Sequence, residues 1–159
     1  MNPAAAASSV TRVTLSARLV SELGDPHSTL RAVTQRSDGV VIVRAGGEVD
    51  GANEHTWRRL VEEAAAVATP PGPFVVDLNG LDFVGCGAFA VLAAESERCR
   101  ARGVAVRLVS CDPSVARVIQ ACNLGGVLPL HPTVETALAT AGRGDRPEPG
   151  RPAAPPLPN

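Results

Sequence analysis

Apolar and polar positions along the chain fall into two alternating rhythms. TLRAVTQ alternates with a period of two, and VVIVRAGGEV is a more continuous apolar run. Each predicts a strand. Asp38-Gly39 between them is a tight-turn signal, so the pair should be an antiparallel hairpin. From Asn53 the period lengthens: Trp57, Leu60, Val61, Ala64 and Val67 or Ala68 share one helical face, with Arg58, Arg59, Glu62 and Glu63 on the others. TPPGP stops this helix. FVVDL reads as a short buried strand, and NGLDFVGCG as its connection to a second helix from Ala88 to about Arg102. Phe89, Leu92, Ala93, Ser96 and Cys99 or Arg100 line one side of that helix, and Gly103 ends it. VAVRLVS is the next strand. Asp112 and Pro113 stand where an N-cap and first-turn residue belong, ahead of an inner stripe of Val115, Val118, Ile119 and Cys122. NLGG turns, VLPL reads as a short edge strand, and PTVETALA as a final helix starting near Thr133.

Strands alternating with helices predict an α/β fold: a mixed, mostly parallel sheet with helices packed against it. Residues 1–27 are expected to be a partly disordered N-terminal extension. Within them, VTRVTLSARLV is either a short strand or part of a leader that never folds. Residues 28–140 form the domain. Residues 141–159 form a Pro-rich tail with too few large apolar side chains for a core, expected to be disordered.

Composition narrows the function. A formal net charge of -1 at pH 7 argues against a nucleic-acid partner, which needs a concentrated basic surface. MNPAAAASS lacks the basic start and long apolar run of a secretory signal. No run approaches the roughly 20 apolar residues that span a bilayer. A cytoplasmic protein with no membrane partner is expected. Aromatic residues are 3% of the chain, so Val, Ala and Leu must fill the core, and Trp57 is expected inside it. Cys86, Cys99, Cys111 and Cys122 form no CxxC and match no common zinc spacing. They read as buried free thiols in a reducing compartment.

The candidate chemistry centres on DFVGCGAFA, residues 82–90. GCGAFA fits G-x-G-x-x-A, a dinucleotide fingerprint. NGLDFV separates it from FVVDL, however, and no acidic residue follows about 20 positions on. Cys86 at a helix start is a potential nucleophile. No Arg follows within the next six residues to clamp a phosphate, and His27, His55 and His131 are scattered. HxxxH, HExxH and carboxylate clusters are absent. No cofactor, metal or catalytic residue is therefore assigned. An enzyme using Cys86, or a nucleotide at Gly85 and Gly87, stays open as an alternative. Asp77, Asp82, Glu48 and Asp50 fall near strand ends or loops and suggest one acidic rim for a partner.

GGEVDGANEHTWRRLV, the central FVVDLNGLDFVGCGAFAVLAAESERCRARGVAVRLVS, and the late SVARVIQACNLGGVLPLHPTVETALA together resemble the STAS domain of anti-sigma factor antagonists. The resemblance covers roughly residues 28–140 and implies a STAS-like (SpoIIAA-like) fold. It further implies a non-enzymatic regulatory module that binds a histidine-kinase-like ATPase acting as an anti-sigma factor. In such proteins that kinase phosphorylates the second serine of an Asp-Ser-Ser-Gly motif at the start of the second helix. The four positions here are Gly85, Cys86, Gly87 and Ala88, so the acceptor position is Gly87, which has no oxygen to phosphorylate. By resemblance, Glu48, Asp50, Asn53, Asn79 and Asp82 join residues 85–88 as the partner-binding surface. Asn53 could also cap the helix that holds Trp57. A homo-oligomeric scaffold or sensor-complex subunit without a kinase partner is the other alternative.

Overall fold

A computed structural model describes residues 9–141. In chain order the elements are β1 (Thr11–Arg12), α1 (Ala17–Leu23), β2 (Leu30–Ser37), β3 (Val40–Val49), α2 (Glu54–Ala66) and β4 (Phe74–Val84). Then come α3 (Cys86–Ala101), β5 (Val106–Val109), α4 (Pro113–Ala121), β6 (Leu130–His131) and α5 (Val134–Ala141). The six strands form one sheet in sequence order. β1–β2 and β2–β3 pair antiparallel; β3–β4, β4–β5 and β5–β6 pair parallel. This is the mixed sheet that the alternation of strands and helices implies.

Local chemistry explains the boundaries. Asp38 and Gly39 both take positive φ, 48° and 84°, as a two-residue hairpin turn requires. α2 turns Thr56, Trp57, Leu60, Val61, Ala64 and Ala65 inward. Arg102 and Gly103 close α3, with Gly103 at φ +79°. Asp112 caps α4 by accepting from the Ser114 N–H at 2.9 Å, and Pro113 opens the first turn. The main core lies on one sheet face, where α1 to α4 pack Trp57, Leu60, Phe89, Leu92 and Ile119 against Val41, Val43, Val76 and Leu108. On the opposite face α5 brings Val134 and Ala137 onto Val75 and Val109.

Three expectations are corrected. First, the described part of residues 1–27 is built into the molecule: as a short strand, one of the two readings of VTRVTLSARLV, and as a helix that neither reading held. Thr11–Arg12 pairs with β2, and Ala17–Leu23 is a helix with Leu19 fully buried. The alternating pattern hid this helix because only one of its seven residues is fully buried, with Leu23 packed partly against the core. Contacts with α2 hold it instead. The Ser16 N–H and hydroxyl donate to Glu63 at 2.6 and 2.7 Å, and Glu22 accepts from the Thr56 hydroxyl at 3.2 Å and pairs with Arg59 at 3.5 Å. Second, NGLDFV is not a connection. β4 continues through it to Val84, pairing with β3 as far as Val49↔Val84 across two register shifts. β5 stops opposite Asp77, so the last part of β4 has a single neighbour and stands proud of the sheet. Exposure on that overhang hid the strand from an apolar-run reading. Third, the late edge strand is Leu130–His131, which takes only the last residue of VLPL and leaves Pro129 just before it. The tail from residue 142 lies outside the described residues.

Candidate functional site

The overhang of β4 carries the chain directly into α3. The Gly85 N–H donates to the Val49 carbonyl at 2.8 Å, which holds the helix start beside the end of β3. Gly85 is the N-cap, extended at φ -72° and ψ 159°, and it offers no side-chain oxygen to the first turn. The open N–H groups of that turn carry the positive end of the helix dipole. Cys86 is exposed, Gly85 and Gly87 are half-buried, and Ala88 is buried. Ala88 thus forms the floor and not the surface: the turn of the helix points it at α2, where its carbonyl accepts from Trp57 Nε1 at 3.2 Å. Trp57 is fully buried, as expected of it.

The loop between β3 and α2 forms the other wall. Asn53 does not cap α2; its side chain makes no bond to that helix. It braces the loop instead. Its Oδ1 accepts from the Asp50 N–H at 2.9 Å, while Nδ2 donates to the Glu48 carbonyl at 2.9 Å and to Thr29 Oγ1 at 3.1 Å. The residue before β2 completes the brace, because the Thr29 carbonyl accepts from the Glu48 N–H at 2.9 Å. Gly47 makes this approach possible: at φ +89° a Cβ there would collide with the Thr29 carbonyl. Asp50 Oδ1 accepts from the Ala52 N–H at 2.9 Å and tightens the turn.

Between these walls lies a pocket of about 350 Å³ lined by Val49, Asp50, Gly51, Glu54, Phe83 and residues 85–88. Two lining side chains were not singled out by the sequence. Phe83 is 54% exposed at the tip of the overhang, unusual for a ring that size. Glu54, the first residue of α2, lies over Gly87: a Cβ added at Gly87 would stand 2.8 Å from the Glu54 Cδ and 2.9 Å from its Oε2. The far side of Phe83 lines a second pocket of about 230 Å³, with Asn79, Asp82, Ser110, Asp112 and Ser114. Asn79 ties its rim together by accepting from the Cys111 N–H at 2.8 Å. The Asp112 carboxyl is held below its ordinary pKa by the hydrogen bond from the Ser114 backbone. Asp50 and residues 85–88 therefore share one pocket, and Asn79 and Asp82 share its neighbour. Glu48 is exposed on β3 opposite Phe83, and Asn53 stands behind as the brace.

No group of three His, Cys, Asp or Glu side chains among the described residues is placed to hold a metal ion. His55 lies toward Glu22, at 3.9 Å, and belongs to the α1–α2 seam. The glycines of GCG do follow a strand directly, contrary to the sequence reading, but Asp50 and Glu54 line the space a pyrophosphate would need. The expectation of buried thiols holds only for Cys99, where burial pushes the thiol pKa up. Cys86, Cys111 and Cys122 are free and exposed, because they stand at the ends of helices and strands and not within them.

The STAS domain family description matches residues 31–137. A candidate anti-anti-sigma factor of Mycobacterium tuberculosis (strain H37Rv) is 60% identical over 130 residues, 82% of this chain and 88% of that one. The anti-sigma-F factor antagonist RsfA of the same organism is 62% identical over 112 residues, 70% of this chain and 88% of its own. Among solved structures, an anti-sigma factor antagonist from Mycobacterium paratuberculosis superposes with a TM-score of 0.64 at 28% identity, over 76% of this chain and 99% of that one.

Proposed function

This chain belongs to the STAS domain family, as a non-enzymatic regulatory protein that resembles the anti-sigma factor antagonists, and from that premise we propose that it works by docking a kinase-type anti-sigma factor in the cytoplasm. The contact surface is the pocket at the start of α3, flanked by Asp50, Cys86 and Glu48, with Phe83 as its anchor. The observation that carries this reading is the exposed Phe83 beside the bare backbone of Gly85–Gly87. A large ring next to a shallow polar-rimmed hollow is the arrangement that concentrates binding energy in a few residues. Asn79 and Asp82 extend the surface on the other side of that ring.

Gly87 stands at the acceptor position that the resemblance assigns, so no phosphate is written there. A phosphoserine would add about -1.5 to -2 charges and alter the surface. Without one, binding is not switched by phosphorylation at this position. The test is titration against the M. tuberculosis anti-sigma-F factor, chosen because a relative 62% identical to this chain is named as its antagonist. A saturable complex, together with no phosphate incorporation at Gly87 in the presence of ATP, is expected. A chain that self-associates and ignores that protein at every attainable concentration overturns the proposal.

A further inference from the structure

The side-chain hydrogen bonds on the β3–α2 loop hold it still, yet the Glu54 side chain takes part in none. Among the described residues its carboxylate makes no hydrogen bond and no ion pair. Arg59, one turn further along α2, is engaged by Glu22 at 3.5 Å. The Glu54 carboxylate instead rests against Gly87, half-buried, in the pocket that Phe83 and Asp50 line. The position is consistent with simple electrostatics: Glu54 opens α2 and lies against the first turn of α3, two helix ends that both favour negative charge. It also depends on Gly87. A Cβ at that place would overlap the carboxylate as it stands, so a side chain at residue 87 would have to turn the Glu54 carboxylate away.

We propose that Glu54 determines partner specificity at this surface: its carboxylate fills the space where an acceptor side chain would stand at residue 87, and a partner must meet it with a basic group. The inference rests on the docking function proposed above and adds one residue to it. Its consequence is a charge at this one point that is set by the sequence and not by phosphorylation of residue 87. On the α3 side the rim residues Asp50, Glu48 and Asp82 have the same sign, while Arg58 and Arg59 line the hollow on the other side of Glu54; the complementary partner therefore presents arginine or lysine on the α3 side. A charge held at a contact mainly affects selectivity, association rate and salt dependence.

The experiment measures the affinity of the full chain for the M. tuberculosis anti-sigma-F factor at low and at high salt, for wild type, Glu54→Gln and Glu54→Asp. Wild type should bind, with affinity falling as salt rises. Glu54→Gln keeps the shape and removes the charge; it should bind roughly three- to tenfold more weakly at low salt, with a flatter salt dependence. Glu54→Asp keeps the charge but withdraws it from Gly87, and should fall between the two. Thermal melts of all three confirm that the fold is intact. If wild type binds and Glu54→Gln binds equally well or more tightly, the role of Glu54 is wrong while the docking function stands. If wild type itself does not bind, the docking function fails and this inference falls with it.

Discussion

At the scale of single residues, Phe83 and Trp57 divide the work of the few aromatic side chains. Trp57 fills the seam between α2 and α3 and hydrogen-bonds the Ala88 carbonyl, so it supports the floor of the pocket at the start of α3 from within. Trp57→Ala should destabilise the fold by about 3–5 kcal/mol, the usual effect of removing a buried ring, and denaturant titration would measure it. Phe83 is exposed and holds nothing together. Phe83→Ala should leave the melting temperature within a few degrees of wild type and weaken binding to the anti-sigma-F factor by tenfold or more; calorimetric titration of the pair checks this. The two residues were not equally legible. Trp57 announces itself by helical periodicity. Phe83 sits in a stretch that reads as a connection, and nothing in its spacing says that it stands on a strand. The same limit applies to Glu54 and Gly87, which are 33 positions apart in the chain and become neighbours only when α2 and α3 pack.

At the scale of elements, the sequence is most informative where one face of an element is buried. α2, α4 and the β2–β3 hairpin carry clear periods, caps and turn residues, and each forms where the pattern places it. It is least informative where tertiary contacts replace burial. α1 is held by carboxylates of α1 and α2 and by one buried leucine, and the outer part of β4 is held by pairing with β3 alone. The β3–α2 loop follows the same logic: the Asn53 side chain makes three hydrogen bonds with its surroundings and none with the helix it precedes. Asn53→Ala should cost about 1 kcal/mol, since the bonds are partly solvent-exposed. It should also speed hydrogen exchange at the Asp50 amide, whose acceptor is lost. An Asp50 amide that exchanges at the wild-type rate would show that the brace is not needed.

At the scale of the whole molecule, the two sheet faces differ in how they respond to pH. His131, on the edge strand near α5, has a buried Nε2 without a hydrogen-bond partner among the described residues. Burial, with the charge of Arg107 as a smaller contribution, holds its pKa below the ordinary 6.5. The unfolded chain therefore binds a proton more readily than the folded one between the two pKa values. Stability is complete above about pH 6.5 and declines as pH falls toward the folded pKa. His131→Asn should flatten the melting temperature between pH 5 and 7, measured by thermal melts across that range. Asp112 behaves in the opposite sense of charge. Its depressed pKa keeps the α4 cap in place at neutral pH, and the cap weakens only when pH falls below the ordinary carboxylate range. Thr29 has a different bearing on the whole. The family match begins at residue 31, two positions after the carbonyl and hydroxyl that steady Glu48 and Asn53. A shortened protein cut to that border would keep every side chain expected to meet a partner and lose the footing beneath them, so anyone trimming this chain for expression should begin upstream of α1.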